Sequence, residues 1–169
     1  MKLFFSLTSF MILHLISACS VIDIPVKAYD VAKEFVFPSG DKLRWEKVTI
    51  GVGREANKNS PIAVDIVLIF NEALVTKVSE LTSSDWFKSK NYILKTFPQD
   101  LAVKSWELAP GDSLQIPSSF FGTERVFSVM AFADYFSDGE HRVRIDQLRG
   151  GVILEFGIED FSAFSITRK

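Results

Sequence analysis

Side chains able to do chemistry are few in this sequence, and none stands in a catalytic pattern. One cysteine, Cys19, and two histidines, His14 and His141, supply all the thiol and imidazole. No HExxH, CxxC or GxSxG arrangement occurs, so no zinc site, redox pair or nucleophile elbow is indicated. Gly51-Val52-Gly53 lacks the third glycine and the following helix that a phosphate loop needs, and reads as a strand end. Asp134 and Asp138 have a spacing that a carboxylate pair or a calcium loop could use, but solvation at a strand end and a turn explains them better. Glu155 and Glu159 fall two pleats apart and are expected on one solvated strand face. His141, beside Arg142 near a turn, is expected at the surface. Trp45, Trp86 and Trp106 could line a sugar-binding groove, yet packing is expected for at least two of them, because Trp buries so much area. The expectation is a protein that is not an enzyme, holds no metal or cofactor, and works by contact.

Cys19 is different because of what precedes it. Lys2 is the only charge before Asp23, and the run Leu3 to Ile16 is apolar but for Ser6, Thr8, Ser9 and His14. A positive start, a brief apolar run and small residues at a cut are the parts of a secretory signal. The run is short for a bilayer span, which takes about 20 apolar residues. Ile16-Ser17-Ala18-Cys19 resembles the bacterial lipobox, in which the cysteine after two small residues is acylated on sulfur and becomes the first residue. An ordinary buried cysteine and an uncleaved membrane anchor are the competing readings. An exported chain with one thiol has no internal disulfide to make, and acylation gives that thiol a use. Stable anchoring takes more than one acyl chain, and a lipobox cysteine carries several. Ser20 follows where an Asp would resemble an inner-membrane retention signal, so the expected place is the periplasmic face of the outer membrane.

The elements that must position any contact residue come after the anchor. Without residues 1–18 the chain keeps 151 of its 169 residues and, having lost Lys2, a formal charge of −3 instead of −2. That is one domain with a real core, and a near balance that argues against nucleic acid as a partner. Residues 19–40 read as a lipidated tether and residues 41–169 as the domain. Arg44 to Val52 alternates, with Val48, Ile50 and Val52 on one face. Ile62 to Phe70 is apolar on both faces except for Asp65, and should be a central strand. Val103 to Leu108, Ser113 to Ile116, Val126 to Tyr135, Arg142 to Leu148, Val152 to Ile158 and Phe161 to Ile166 follow as strands, with turns at Pro110-Gly111, Asp138-Gly139 and Gly150-Gly151. One helical stretch sits between the second and third strands. Asn71 can cap a helix carrying Leu74, Val78 and Leu81, and Thr82 with Asp85 can cap another carrying Trp86, Ile93 and Phe97. About eight short strands with turn signals indicate a mainly β two-sheet sandwich with a short helical insertion.

In this order the features resemble a known family, the outer-membrane lipoproteins of the type VI secretion system (TssJ, or SciN-like). The residues that carry the resemblance are the lipobox at Cys19 and the polar loop Arg54-Glu55-Ala56-Asn57-Lys58-Asn59-Ser60-Pro61. They continue with the strand Ile62 to Leu68, the aromatic pair Trp86-Phe87 on the helical segment, the turn Glu107 to Gly111, and the strand Val129 to Asp134. Ala133 stands where the family commonly has Arg, and His141-Arg142 where a Trp-Arg pair is common, which marks a divergent member. The resemblance implies a transthyretin-like sandwich and a structural role. The lipid on Cys19 would hold the outer membrane, and the loop between the first two strands would hold the periplasmic domain of an inner-membrane, TssM-like protein. The contact residues it implies are Arg54, Glu55, Asn57, Lys58, Asn59 and Ser60. Phe120-Phe121 is either a second contact or a buried loop anchor, burial being preferred. A lipoprotein module that binds a glycan or small molecule, and an unrecognised hydrolase, are the other classes. An aromatic groove would favour the former, and a carboxylate pair buried against a cleft the latter.

Overall fold

A computed structural model of the chain describes residues 39–166. Cys19, the signal segment and most of the tether lie outside the described residues. Among the described residues ten strands form two four-stranded sheets and a two-stranded ribbon. One sheet has the order β10 (Phe161–Ile166), β9 (Arg149–Phe156), β2 (Arg44–Val52), β5 (Ser113–Pro117); the other has β4 (Leu101–Leu108), β3 (Ile62–Ile69), β7 (Ser128–Asp134), β8 (Arg142–Arg144). The ribbon pairs β1 (Asp41–Lys42) with β6 (Arg125–Val126).

The sandwich core lies between the inner faces. Val48, Ile50 and Val52 of β2 meet Val64, Ile66 and Leu68 of β3, with Leu154 and Phe156 of β9 beside them. The continuous apolar pattern of β3 follows from having both faces covered. Val67 and Ile69 point the other way, into a second cluster with Leu74, Val78 and Trp86. Those last three come from α1 (Glu72–Ser79) and α2 (Ser83–Thr96), which cover the outer face of that sheet. Both caps form as the sequence indicates. Asn71 Oδ1 accepts from Ala73 N–H and Thr82 Oγ1 from Asp85 N–H, each satisfying a donor that a helix start leaves free. Asp65, the polar exception in β3, is buried under α2. It accepts from Trp86 Nε1 at 2.8 Å and from Lys90 Nζ at 2.9 Å, and the Trp86 ring stacks on Phe132.

Three expectations change. The run Val126 to Tyr135 breaks at Phe127, whose N–H leaves for Ile69 O, so β6 pairs with β1 while β7 pairs with β3. The alternating run Arg142 to Leu148 keeps only three residues as strand. Beyond Arg144 its carbonyls serve β2 instead, Gln147 O accepting from Trp45 Nε1 and Leu148 O from Arg44 N–H. Gly150-Gly151 is not a turn but lies inside β9, which runs parallel to β2 with a register shift between Trp45 and Lys47. A parallel pairing between the first long strand and one near the end of the chain leaves no local signal.

Strand direction gives the molecule two ends. β2, β4, β7 and β9 run toward one end and β3, β5, β8 and β10 away from it. The connections 53–61, 109–112, 135–141 and 157–160 therefore gather at that end. The described chain begins at the other, where β1 pairs just ahead of β7.

Candidate functional site

The loop end carries the residues that the sequence singled out, and its order is explained by one buried amide. Gly53 N–H donates to Phe156 O at 2.8 Å, so the 53–61 connection starts against β9. A left-handed turn, Ala56–Asn59, follows, in which Asn57, Lys58 and Asn59 all have positive φ (49, 55 and 60°). Asn tolerates that left-handed region; Lys is strained in it. Asn57 is 1% exposed. Its Nδ2 donates to Pro61 O, its Oδ1 accepts Phe136 N–H at 2.7 Å, its own N–H donates to Ile158 O, and its carbonyl accepts Ser60 N–H. Each polar group of Asn57 is thus committed inside the protein. Arg54, Glu55, Lys58 and Asn59 are exposed around it and Ser60 is half-buried. The six expected contact residues therefore split: one holds three connections together, and the others are what the end presents.

A second brace lies behind the first, and sequence reasoning misplaced it. His141 is buried, not at the surface. Its Nε2 is 2.8 Å from Ser137 O and its Nδ1 is 3.2 Å from Asp160 Oδ1, so both ring nitrogens face acceptors. Its ring lies against that of Tyr135. Gly139 lets the ring approach, since a Cβ there would meet His141 Cε1 at 2.6 Å. The Tyr135 hydroxyl sits 3.0 Å from Asp160 O and 3.2 Å from Gly157 O, and Ser137 Oγ donates to Glu159 O. Burial, then the nearby Asp160 carboxylate, pushes the Tyr135 phenol well above its usual range, which keeps it a donor. Chemically this is a brace. His141 meets the carbonyl of Ser137 while the Ser137 hydroxyl points to another segment, so imidazole and hydroxyl do not form a nucleophile–base pair. The signal missed was Asp160, nineteen residues away in sequence from its partner.

Glu155 and Glu159 do not share a strand face. β9 ends at Phe156, and Glu159 lies in the turn that Gly157 N–H closes onto Asp160 O. Asp134 and Asp138 are exposed, and among the described residues no group of three or more His, Cys, Asp or Glu could hold a metal. Trp45 and Trp86 are buried, Trp45 edge-on to Phe121. Trp106 packs against Phe120 and Phe121. Phe121 is buried as expected, but Phe120 stays 45% exposed with Lys104 Nζ over its ring. A hollow of about 570 Å³ opens on the outer face of the β10-β9-β2-β5 sheet, which no described helix covers, near Gly51, Asp112, Glu155 and Phe164.

What fold and site define is a helix-backed β-sandwich with one braced, polar loop end. No protein-family model and no curated sequence matches the chain. Solved structures do. The type VI secretion lipoprotein TssJ1 from Pseudomonas aeruginosa superposes with a TM-score of 0.53 at 10% identity, covering 78% of this chain and 100% of that one. A chain of a type VI membrane complex gives 0.53 at 16% identity, covering 75% and 99%. The fold of this chain is therefore that of the type VI secretion lipoproteins, as the sequence order suggested. Among the described residues no helix is long and apolar enough to cross a membrane.

Proposed function

We propose that the chain is the lipid-anchored structural subunit of a type VI secretion membrane complex. The lipid on Cys19 holds the outer membrane, and the loop end holds the periplasmic domain of a TssM-like inner-membrane protein. The observation that carries this reading is the polarity of the sandwich. β1 and the start of β2 lie at one end, while Arg54, Glu55, Lys58 and Asn59 stand at the other. Such a division of ends suits a protein that bridges two membranes. Support also comes from the fold shared with type VI secretion lipoproteins, and from a loop end whose side chains brace rather than catalyse.

The test is affinity purification of the tagged, full-length protein from detergent-solubilised envelopes. Wild type should bring down the TssM-like protein of the same genome. Cys19→Ser should leave the membrane fraction and still bind that protein in solution. A wild-type preparation without the TssM-like protein would sink the assembly role, and a Cys19→Ser protein that stays with the outer membrane would sink the anchor.

A further inference from the structure

Two large apolar side chains stand in water at the loop end. Phe136 is 69% exposed and Ile158 57%. Their backbones are tied to one residue, because Asn57 takes the N–H of Phe136 and gives its own to the carbonyl of Ile158. Tyr135 and Ser137 tie the same two segments on either side. Single exposed hydrophobics are ordinary surface. A pair on backbone already fixed by hydrogen bonds is different, since little further freedom is lost when a partner covers it.

The surroundings say what kind of partner. The segments 53–61, 134–141 and 157–160 carry six exposed carboxylates; Glu140 pairs with Arg142 and Asp160 meets the His141 ring, which leaves Glu55, Asp134, Asp138 and Glu159 against the exposed cations Arg54 and Lys58. The whole sequence is nearly balanced at −2, so this acidity is local. An acidic ring is repelled by the anionic surface of a bilayer and attracted by basic protein surface. Resting on the assembly reading above, we propose that Phe136 and Ile158 are the affinity centre of the contact, and that the partner protein offers an apolar pocket ringed by Lys and Arg. Buried aromatic anchors set how long a complex lasts, while rim charges set how fast it forms.

The probe is the purified periplasmic domain of the TssM-like protein from the same genome, offered to the full lipidated protein in detergent micelles. Phe136→Ser with Ile158→Ser should weaken binding by about 50-fold or more, chiefly through faster dissociation, with an unchanged melting temperature. Asp138→Lys with Glu159→Lys should slow association several-fold at low salt, and the difference should fade at high salt. Unchanged affinity in the apolar double variant, with binding lost in Arg54→Ala/Lys58→Ala, would overturn the inference and leave the assembly reading standing. No binding by wild type would overturn both. The Cys19→Ser chain is also offered phosphatidylglycerol vesicles; uptake that depends on Phe136 and Ile158 would overturn the inference in favour of a lipid surface.

Discussion

At the loop end, side chains from three connections hold one another: Asn57 joins 53–61 to Phe136 and Ile158, and Tyr135, Ser137 and His141 join 135–141 to 157–160. On the helix-covered face, order comes from area. Trp86, Phe132, Val67, Ile69, Leu74 and Val78 pack together, and at their margin the buried Asp65 carboxylate pairs with the partly exposed Lys90. The first region can lose its geometry through a single missing hydrogen bond without unfolding. The second cannot lose much without the domain following. Function that depends on placing a few exposed residues suits the first kind of construction, because strong local bonds can position a loop that has little apolar area to bury.

Trp86→Ala should break the comparison most severely. It removes a fully buried ring stacked on Phe132 and one of the two donors to the buried Asp65 carboxylate. We expect a loss of about 3–5 kcal/mol in chemical denaturation, while any variant that stays folded should bind its partner normally. Loss of binding without loss of stability would mean that the helix face is itself a contact.

Asn57→Ala should come next and act in the opposite manner. It strands the Phe136 N–H and the Pro61 carbonyl and puts Ala at positive φ. The expected stability loss is about 2 kcal/mol, with amide exchange accelerated at Phe136 and at residue 57 itself, whose N–H is held by the Ile158 carbonyl, and partner affinity falling with it. Exchange rates unchanged at those two amides would show that the loops are ordered by something else.

Tyr135→Phe sharpens the second brace. Losing the hydroxyl should cost about 1 kcal/mol at neutral pH. The wild-type phenol ionises less readily folded than unfolded, because of burial and then Asp160. Its contribution is therefore whole below the ordinary tyrosine range, and is lost as pH climbs above about 10 toward the raised folded value. Melting temperature against pH should fall less steeply in that window for Tyr135→Phe than for wild type. Equal slopes would contradict the burial argument.

Much of this architecture was legible because the elements sign themselves locally. Asn71 and Thr82 cap the helices they precede, and β3 reads as central because both its faces are apolar. The polar loop 53–61 was also legible as a presented segment. What escaped was decided by distant partners. Gly150-Gly151 reads as a turn until β2 pairs alongside it, and Phe127 ends a strand only because Ile69 O is near. Asn57 reads as one more polar loop residue and His141 as surface, since their partners lie across the fold at Phe136, Ile158 and Asp160. The exposed pair Phe136 and Ile158 left no pattern either, because an apolar residue in a turn gives no sign of which way it faces.

The central claim is that one end of the sandwich belongs to the anchor and the other to the partner. Site-specific photocrosslinking in intact cells tests it directly, with the crosslinker placed at Lys58 on the loop end and, separately, at Lys42 on the end where the described chain begins. The account predicts an adduct with the TssM-like inner-membrane protein from Lys58 and none from Lys42. An adduct with that protein from Lys42 and none from Lys58 would contradict it.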